Sequence, residues 1–202
     1  MRSTSLHVGI ACALLSIGAC RSEPGTRASA DSTAAASAVR ASRESAPAES
    51  AAVAFVRSFY ASYAPRAIAS GLAATDSIIV ERPALFAPPL LAALGRDAAE
   101  RSRATGEIAG LDFEPFLAAQ DPCDRYEVGG AARAAAAAPG ASVRVSVYAV
   151  CGGARGDQPA VVAEMGPGAQ GSWAFVNFHY GPPVDDDLLA LLRRLHPGPE
   201  NR

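Results

Sequence analysis

The sequence predicts an α+β domain, with helices at its N-terminal end packed on an antiparallel sheet of about four strands and a C-terminal helix. Three observations carry that expectation. Apolar residues recur at helical spacing between residues 50 and 103. From Tyr126 onward, short segments rich in Val, Tyr and Phe are separated by Gly- and Pro-containing turns. A last Leu-rich stretch returns to the helical period. Helices first and strands second place the helices against one face of the sheet, in a single domain over residues 50–198. About 150 residues are enough to bury a core.

The first helix is expected from about Ser50, where Ala52, Val56, Phe59, Tyr60 and Tyr63 share a face and Pro65 ends it. A second helical stretch spans Pro83 to Arg103, with Leu85, Phe86, Leu90, Leu91, Leu94 and Ala98 on its apolar side. Pro88-Pro89 should divide it into a short turn and a longer helix, since an interior proline removes a hydrogen bond. A third, short helix is expected after Asp112. Phe113, Phe116, Leu117 and Gln120 lie on one of its faces, Asp112 is placed to cap, and Pro115 falls in the tolerant first turn.

Strands are expected at Tyr126–Val128, Val143–Cys151, Ala160–Met165 and Ser172–Tyr180. Pro139-Gly140, Gly152-Gly153 and Gly166-Pro167-Gly168 mark the turns between them. Val143, Val145, Val147 and Ala149 alternate with Arg144, Ser146 and Tyr148, which leaves one face of that strand wet. The Ala134–Ala138 run suits either a helix or the arm of a hairpin. The final helix, Leu188 to Leu195, carries Leu188, Leu191, Leu192 and Leu195 on one face. Asp185–Asp187 stand at its N-terminus, where the helix dipole favours acids.

The N-terminus reads as an address. Arg2, an apolar run from Val8 to Ile17 and small residues before Cys20 form an export signal over residues 1–19. A membrane span needs about 20 apolar residues, more than this run holds. Ile17-Gly18-Ala19-Cys20 resembles the bacterial lipobox. That resemblance implies a diacylglycerol on the Cys20 thiol, cleavage before it and acylation of the new amine; an ordinary cysteine after a standard signal is the alternative. Three acyl chains anchor firmly, since two already suffice. Arg21 follows, and no Asp resembling an inner-membrane retention mark. The expected location is therefore the periplasmic face of the outer membrane, if the organism is didermic. Residues 21–49 are mostly Ser, Ala, Thr, Glu and Arg with Pro24 and Pro47, and Val39 is the only large apolar side chain, so residues 20–49 are expected to form a lipidated, disordered tether.

Composition narrows the function classes. Of 18 basic residues Arg2 leaves with the signal, so the mature chain carries 17 against 20 acidic, a net charge of −3. Nucleic acid needs a basic surface, so no such partner is expected. Cys12 sits in the signal, leaving Cys123 and Cys151, which in an exported protein read as one disulfide. No CxxC is present and His179 and His196 are the mature chain's histidines, so no metal and no cofactor are expected.

Phe55-Val56-Arg57-Ser58-Phe59-Tyr60, the block Leu111-Asp112-Phe113-Glu114-Pro115-Phe116-Leu117-Ala118-Ala119-Gln120-Asp121, and Trp173-Ala174-Phe175-Val176-Asn177-Phe178 resemble the YbjP/YqhG-type bacterial lipoproteins, a domain-of-unknown-function group. The resemblance covers residues 50–196, and the central block is its most specific part. It implies a helix-rich front and a curved antiparallel sheet similar to the nuclear-transport-factor-like cone. It implies no catalytic residue. Asn177 stands where the family pattern leads one to expect an acid.

Candidate sites follow. Asp112, Glu114, Gln120 and Asp121 form a candidate binding edge, with capping of the short helix as their structural reading. Asn177 and His179 share a strand face and, with Tyr60 or Tyr63, are candidates to line a pocket and move a proton. His196 is expected in solvent. Gly166–Gly171 matches GxGxxG, but a dinucleotide site needs that loop to open a helix, and here it leads into Trp173-Ala174-Phe175-Val176, a strand. Asp185-Asp186-Asp187 lacks the spaced ligands of a calcium loop. With no catalytic set in sequence, the expected function is an outer-membrane-anchored periplasmic lipoprotein whose domain binds another envelope component, a protein, without catalysis. The alternative is a cone-fold enzyme or carrier with a small apolar ligand in an internal pocket. An inward His179 and an open interior would mark the second; a closed apolar core would mark the first.

Overall fold

The computed structural model describes residues 29–105, 109–133, 142–181 and 186–197, with side chains from residue 47 onward. The export signal, Cys20, the Ala134–Ala138 run, the Pro139-Gly140 turn and Asp185 lie outside them. The chain divides into two compact units, Met1–Arg40 and Ala41–Arg202. In the first, the described residues are helical. The second holds the sheet and all the side-chain geometry that follows. No helix among the described residues is long and apolar enough to cross a membrane.

Helix α1 spans Ser29–Ser70, beginning well before the expected start at Ser50. Alanine dominates the stretch expected as a tether, and it favours helix without needing a core. Pro65 does not end α1. It sits on the exposed side, while Ala64 and Ala67 on either side of it are buried and hold the last turn in place. Gly71 then reverses the chain into α2 (Leu72–Glu81), an element the sequence reading lacked. Its Ala74, Thr75, Ile78 and Ile79 are buried, and Arg66 of α1 makes a two-pronged pair with Glu81. Pro83–Leu85 form a 3-10 turn and Pro88–Arg103 form α3, the division expected at Pro88-Pro89.

The sheet contains β1 (Arg125–Arg133), β2 (Val143–Cys151), the two-residue β3 (Ala154–Arg155), β4 (Val161–Pro167) and β5 (Trp173–Tyr180). All pairings are antiparallel, in the order β1-β2-β4-β5, with β3 folding back on β2 through Gly152-Gly153. Gly166–Gly171 is a hairpin connection between β4 and β5, as expected. A bulge interrupts β1 between Val128 and Ala131. Glycine is required there, because a Cβ on Gly129 would stand 2.7 Å from the Tyr148 ring. Helix α4 (Leu188–Leu195) buries Leu188 and Leu192, and Asp187 caps it by accepting from the Ala190 N–H at 2.8 Å.

The core is aromatic. Phe59 meets Phe175 and Phe116 meets Phe178 with ring centres 4.7 Å apart, and Tyr63 stacks on Phe59 at 4.8 Å. Such pairs contribute roughly 0.5–1.5 kcal/mol each beyond their buried area.

The helix expected after Asp112 does not form. The Glu114 N–H donates to the Ala119 carbonyl at 2.8 Å, the Ala119 N–H returns to the Glu114 carbonyl, and Ala118 takes a left-handed φ of 54°. These bonds close a tight loop in which Leu111, Phe116 and Leu117 are buried and Phe113 packs edge-on against Tyr180.

Candidate functional site

The loop over residues 111–120, where the family-like block lies, plugs the space between helices and sheet. Three tyrosines hold three successive residues of it. Tyr63 donates to Glu114 Oε1, Tyr180 donates to the Pro115 carbonyl at 2.9 Å, and Tyr60 donates to the Phe116 carbonyl at 2.6 Å. Burial raises the pKa of all three phenols, and Glu114 adds to the effect in each. They act as neutral donors.

Glu114 is 2% exposed, so it belongs to the core and not to the exposed edge expected for it. Its Oε2 accepts from the Leu117 N–H at 2.7 Å, and its Oε1 meets Tyr63 and, at 2.7 Å, Thr75. Tyr63 Oη and Thr75 Oγ1 also touch, at 2.8 Å. Desolvation raises the Glu114 pKa, outweighing the hydrogen bonds from Tyr63, Thr75, Phe116 and Leu117 that lower it.

The remaining residues of the expected binding edge do reach the surface. Asp112, Gln120 and Asp121 are exposed, and Gln120 Nε2 donates to Asp112 Oδ2 at 3.0 Å. Asp112 thus receives a side chain and caps no helix. Just beyond them Cys123 and Cys151 form the expected disulfide, with Cα atoms 4.8 Å apart. Register explains the pairing: Arg125 lies opposite Val150 and Tyr126 opposite Ala149. Asp124 Oδ2 accepts from the Gly152 N–H at 2.6 Å and fixes the same corner again. The result is a rigid, polar projection of the loop exit.

The second candidate set is not brought together. Tyr60 and Tyr63 point into the core, whereas Asn177 and His179 lie on the opposite face of the sheet. Asn177 is an anchor for α4: its Nδ2 donates to Asp187 Oδ1 at 2.8 Å and its Oδ1 accepts from the Leu189 N–H at 3.1 Å. An amide does both jobs, which an acid at this position would not. His179 Nε2 lies 2.6 Å from Glu164 Oε2, and Arg144 approaches the same oxygen at 3.7 Å. Burial raises the Glu164 pKa, but hydrogen bonds from Ser142 and His179, and the charges of His179 and Arg144, outweigh it and leave it lowered. This pair is partly exposed, with Ser142 and Arg144 as its other named neighbours.

A fourth cluster escaped the sequence reading. Asp97 of α3 is fully buried; its Oδ1 accepts from the Leu111 N–H at 3.0 Å and faces His196 Nε2 at 2.7 Å, and Arg101 pairs with its Oδ2. Arg101 also pairs with Asp76 of α2. His196 therefore clasps the end of α4 to α3 and is not in solvent as expected. Gly110 makes room, since a Cβ there would stand 2.3 Å from Asp97 Oδ1. The i, i+4 spacing of Asp97 and Arg101 was the available signal.

Among the described residues no group of three or more His, Cys, Asp or Glu side chains is placed to hold a metal ion. Compared with protein-family models, with curated proteins and with solved structures, the chain matches none.

Proposed function

We propose that the chain is an exported lipoprotein of the YbjP/YqhG type, anchored through Cys20 at the periplasmic face of the outer membrane. In this reading its folded domain is a non-catalytic module that binds another envelope component, a protein. The observation that carries the reading is how the interior is used. Phe59, Phe86, Phe116, Phe175 and Phe178 fill the space between helices and sheet, and the three tyrosines spend their hydroxyls on the loop. That packing weighs against a carrier or enzyme with an internal ligand, the alternative. His179, which a pocket would need inside, lies on the outer face. What remains for recognition is the surface, where Asp112, Gln120 and Asp121 form a polar corner beside the disulfide.

Two measurements test this. Mass spectrometry of the mature N-terminus should find acylated Cys20, and a Cys20→Ser chain should leave the membrane fraction. Crosslinking in intact envelopes, then purification, should recover a stoichiometric protein partner. Gln120→Ala with Asp121→Asn should reduce that recovery without lowering the melting temperature. Full recovery with the double variant removes the corner from the binding surface; no stoichiometric partner removes the module reading.

A further inference from the structure

The two edges of the sheet are finished differently. On the β5 edge the Ala87 N–H donates to the Phe175 carbonyl at 2.8 Å, and the Tyr180 N–H donates to the Asp186 carbonyl at 2.8 Å. Bridges Phe86–Phe175 and His179–Asp187 thus cap both ends of that strand. On the other edge, β1 pairs with β2 alone among the described residues. Its outer N–H and C=O groups form a row open to another chain. The strand carries a bulge but no proline and no lysine to blunt it.

Helix α1 runs beside this edge and leaves a trough in two parts. One, of about 410 Å³, lies between Ala64 and Ile68 of α1 and Tyr126 of β1, over the Tyr60 ring. The other, of about 450 Å³, lies between Val53 and Arg57 of α1 and Gly129–Ala131 of β1. Ile68 is 37% exposed at the first. At the second, Arg57 is exposed, and none of the ion pairs among the described residues includes it. Glu49, on the same rim, is two helical turns away, about 12 Å along the axis.

We propose that the β1 edge takes an extended segment of a partner protein as an added strand, lying in the trough against α1. This rests on the binding-module reading and names a second contact for it. The chemistry of the segment follows from the spacing. Tyr126 and Ala131 are about 13 Å apart along the strand, because the bulge sets them opposite Ala149 and Val145, four residues apart on β2. Residues four apart on an added strand point to the same face. The segment therefore presents an apolar side chain to Ile68 and, four residues away, a carboxylate to Arg57. A second copy of this chain fits poorly: antiparallel pairing about Gly129 sets Arg125 opposite Arg133 at both ends.

The test uses the full chain purified in detergent and a ten-residue acetylated peptide. The peptide alternates threonine with valine, except for leucine at its third position and aspartate at its seventh. Two N-methylated versions block the amides of the odd or the even residues. Strand addition makes one version bind at least about tenfold more weakly and leaves the other within about twofold, because alternate amides of a strand face opposite sides. Peptide at saturation should slow hydrogen exchange across residues 125–133. Arg57→Glu, on an exposed helix face, should weaken the peptide roughly threefold and favour a version with lysine at the seventh position. Equal binding of the two N-methylated versions, or unchanged exchange in β1, overturns the proposal. So does β1 protection without peptide in a chain that sediments as a dimer, which assigns the edge to a second copy. If the peptide fails while corner-dependent partner recovery persists, the strand-addition proposal falls alone. If recovery fails while parity-dependent peptide binding holds, the module reading falls alone.

Discussion

Glu114 is buried and Glu164 partly buried, and they face opposite sides of the sheet and opposite chemistry. Glu114 sits among hydroxyls and main-chain amides with no cation beside it, and its pKa is raised. Glu164 sits beside His179 and Arg144 on the outer face, and its pKa is lowered. Burial pushes both upward; the partners decide the net direction. The inner glutamate is part of how the loop is held, while the outer one belongs to a surface that can still change partners. The same division separates the fixed β5 edge from the open β1 edge.

The largest effect should come from emptying the inner cluster. Glu114→Ala leaves Tyr63, Thr75 and the Leu117 N–H unpaired and opens a cavity. It should cost about 3–5 kcal/mol, read by denaturant titration. Glu114→Gln keeps the volume and should cost only about 1 kcal/mol near pH 5. Its pH dependence sharpens the contrast. A carboxyl raised by folding binds more protons folded than unfolded, so its stability is present below the ordinary value of 4.5 and is lost as pH rises through the folded value. The glutamine variant should lose that decline. A decline identical to that of the parent would mean that Glu114 is ionised throughout.

Next in size is the disulfide, which holds the exit of the same loop from the surface side. Its 28-residue separation is worth about 3.5 kcal/mol in the chain-entropy model. Cys123→Ser with Cys151→Ser should therefore lower the melting temperature by roughly 10 °C. A fall below about 2 °C would show that the tyrosines hold the loop unaided.

The sequence made the sheet legible because valine alternation and Gly-Pro turns act locally. β2 spans Val143–Cys151, as expected, and Gly152-Gly153 forms its turn. α4 was equally legible, from four leucines and an acidic cap. What stayed hidden depended on distant partners. Phe113, Phe116 and Leu117 fit a helix by spacing, but Glu114 closes a loop because Tyr63, Thr75, Tyr60 and Tyr180 converge on it from other elements. α2 was missed because Thr75 and Asp76 break its apolar pattern, and both are spent on tertiary bonds. Of the candidate binding residues, Asp112, Gln120 and Asp121 reached the surface. Glu114 did not, since composition does not distinguish a buried carboxyl with four donors from an exposed one.

Asn177 tests whether the outer face also carries structure. Its side chain docks the start of α4 through Asp187 and the Leu189 N–H. Asn177→Ala should cost about 1–2 kcal/mol, the range for losing a helix cap. Asn177→Asp keeps the acceptor for Leu189 but sets two carboxylates together, so it should be worse than alanine above pH 5 and recover as the pair takes up a proton. If aspartate proves better than alanine at neutral pH, Asp187 is not the partner that matters.

The smallest effect should belong to Glu164. It is 18% exposed, and its partners His179 and Arg144 are 25% and 44% exposed, so water competes for each of them. Glu164→Gln should change stability by no more than about 1 kcal/mol at pH 7. The informative quantity is again the slope. A carboxyl lowered by folding contributes stability above the ordinary value of 4.5 and loses it as pH falls through the folded value. The parent should therefore weaken on acidification below pH 4.5 in a way the Gln variant does not, opposite in sign to the Glu114 effect. Because the two glutamates share no partner, the double variant should show both slopes removed and the two stability changes adding. A coupling of more than about 0.5 kcal/mol would mean that the inner cluster and the outer face communicate through β4 and β5, and that the division between a fixed interior and a free surface is drawn in the wrong place.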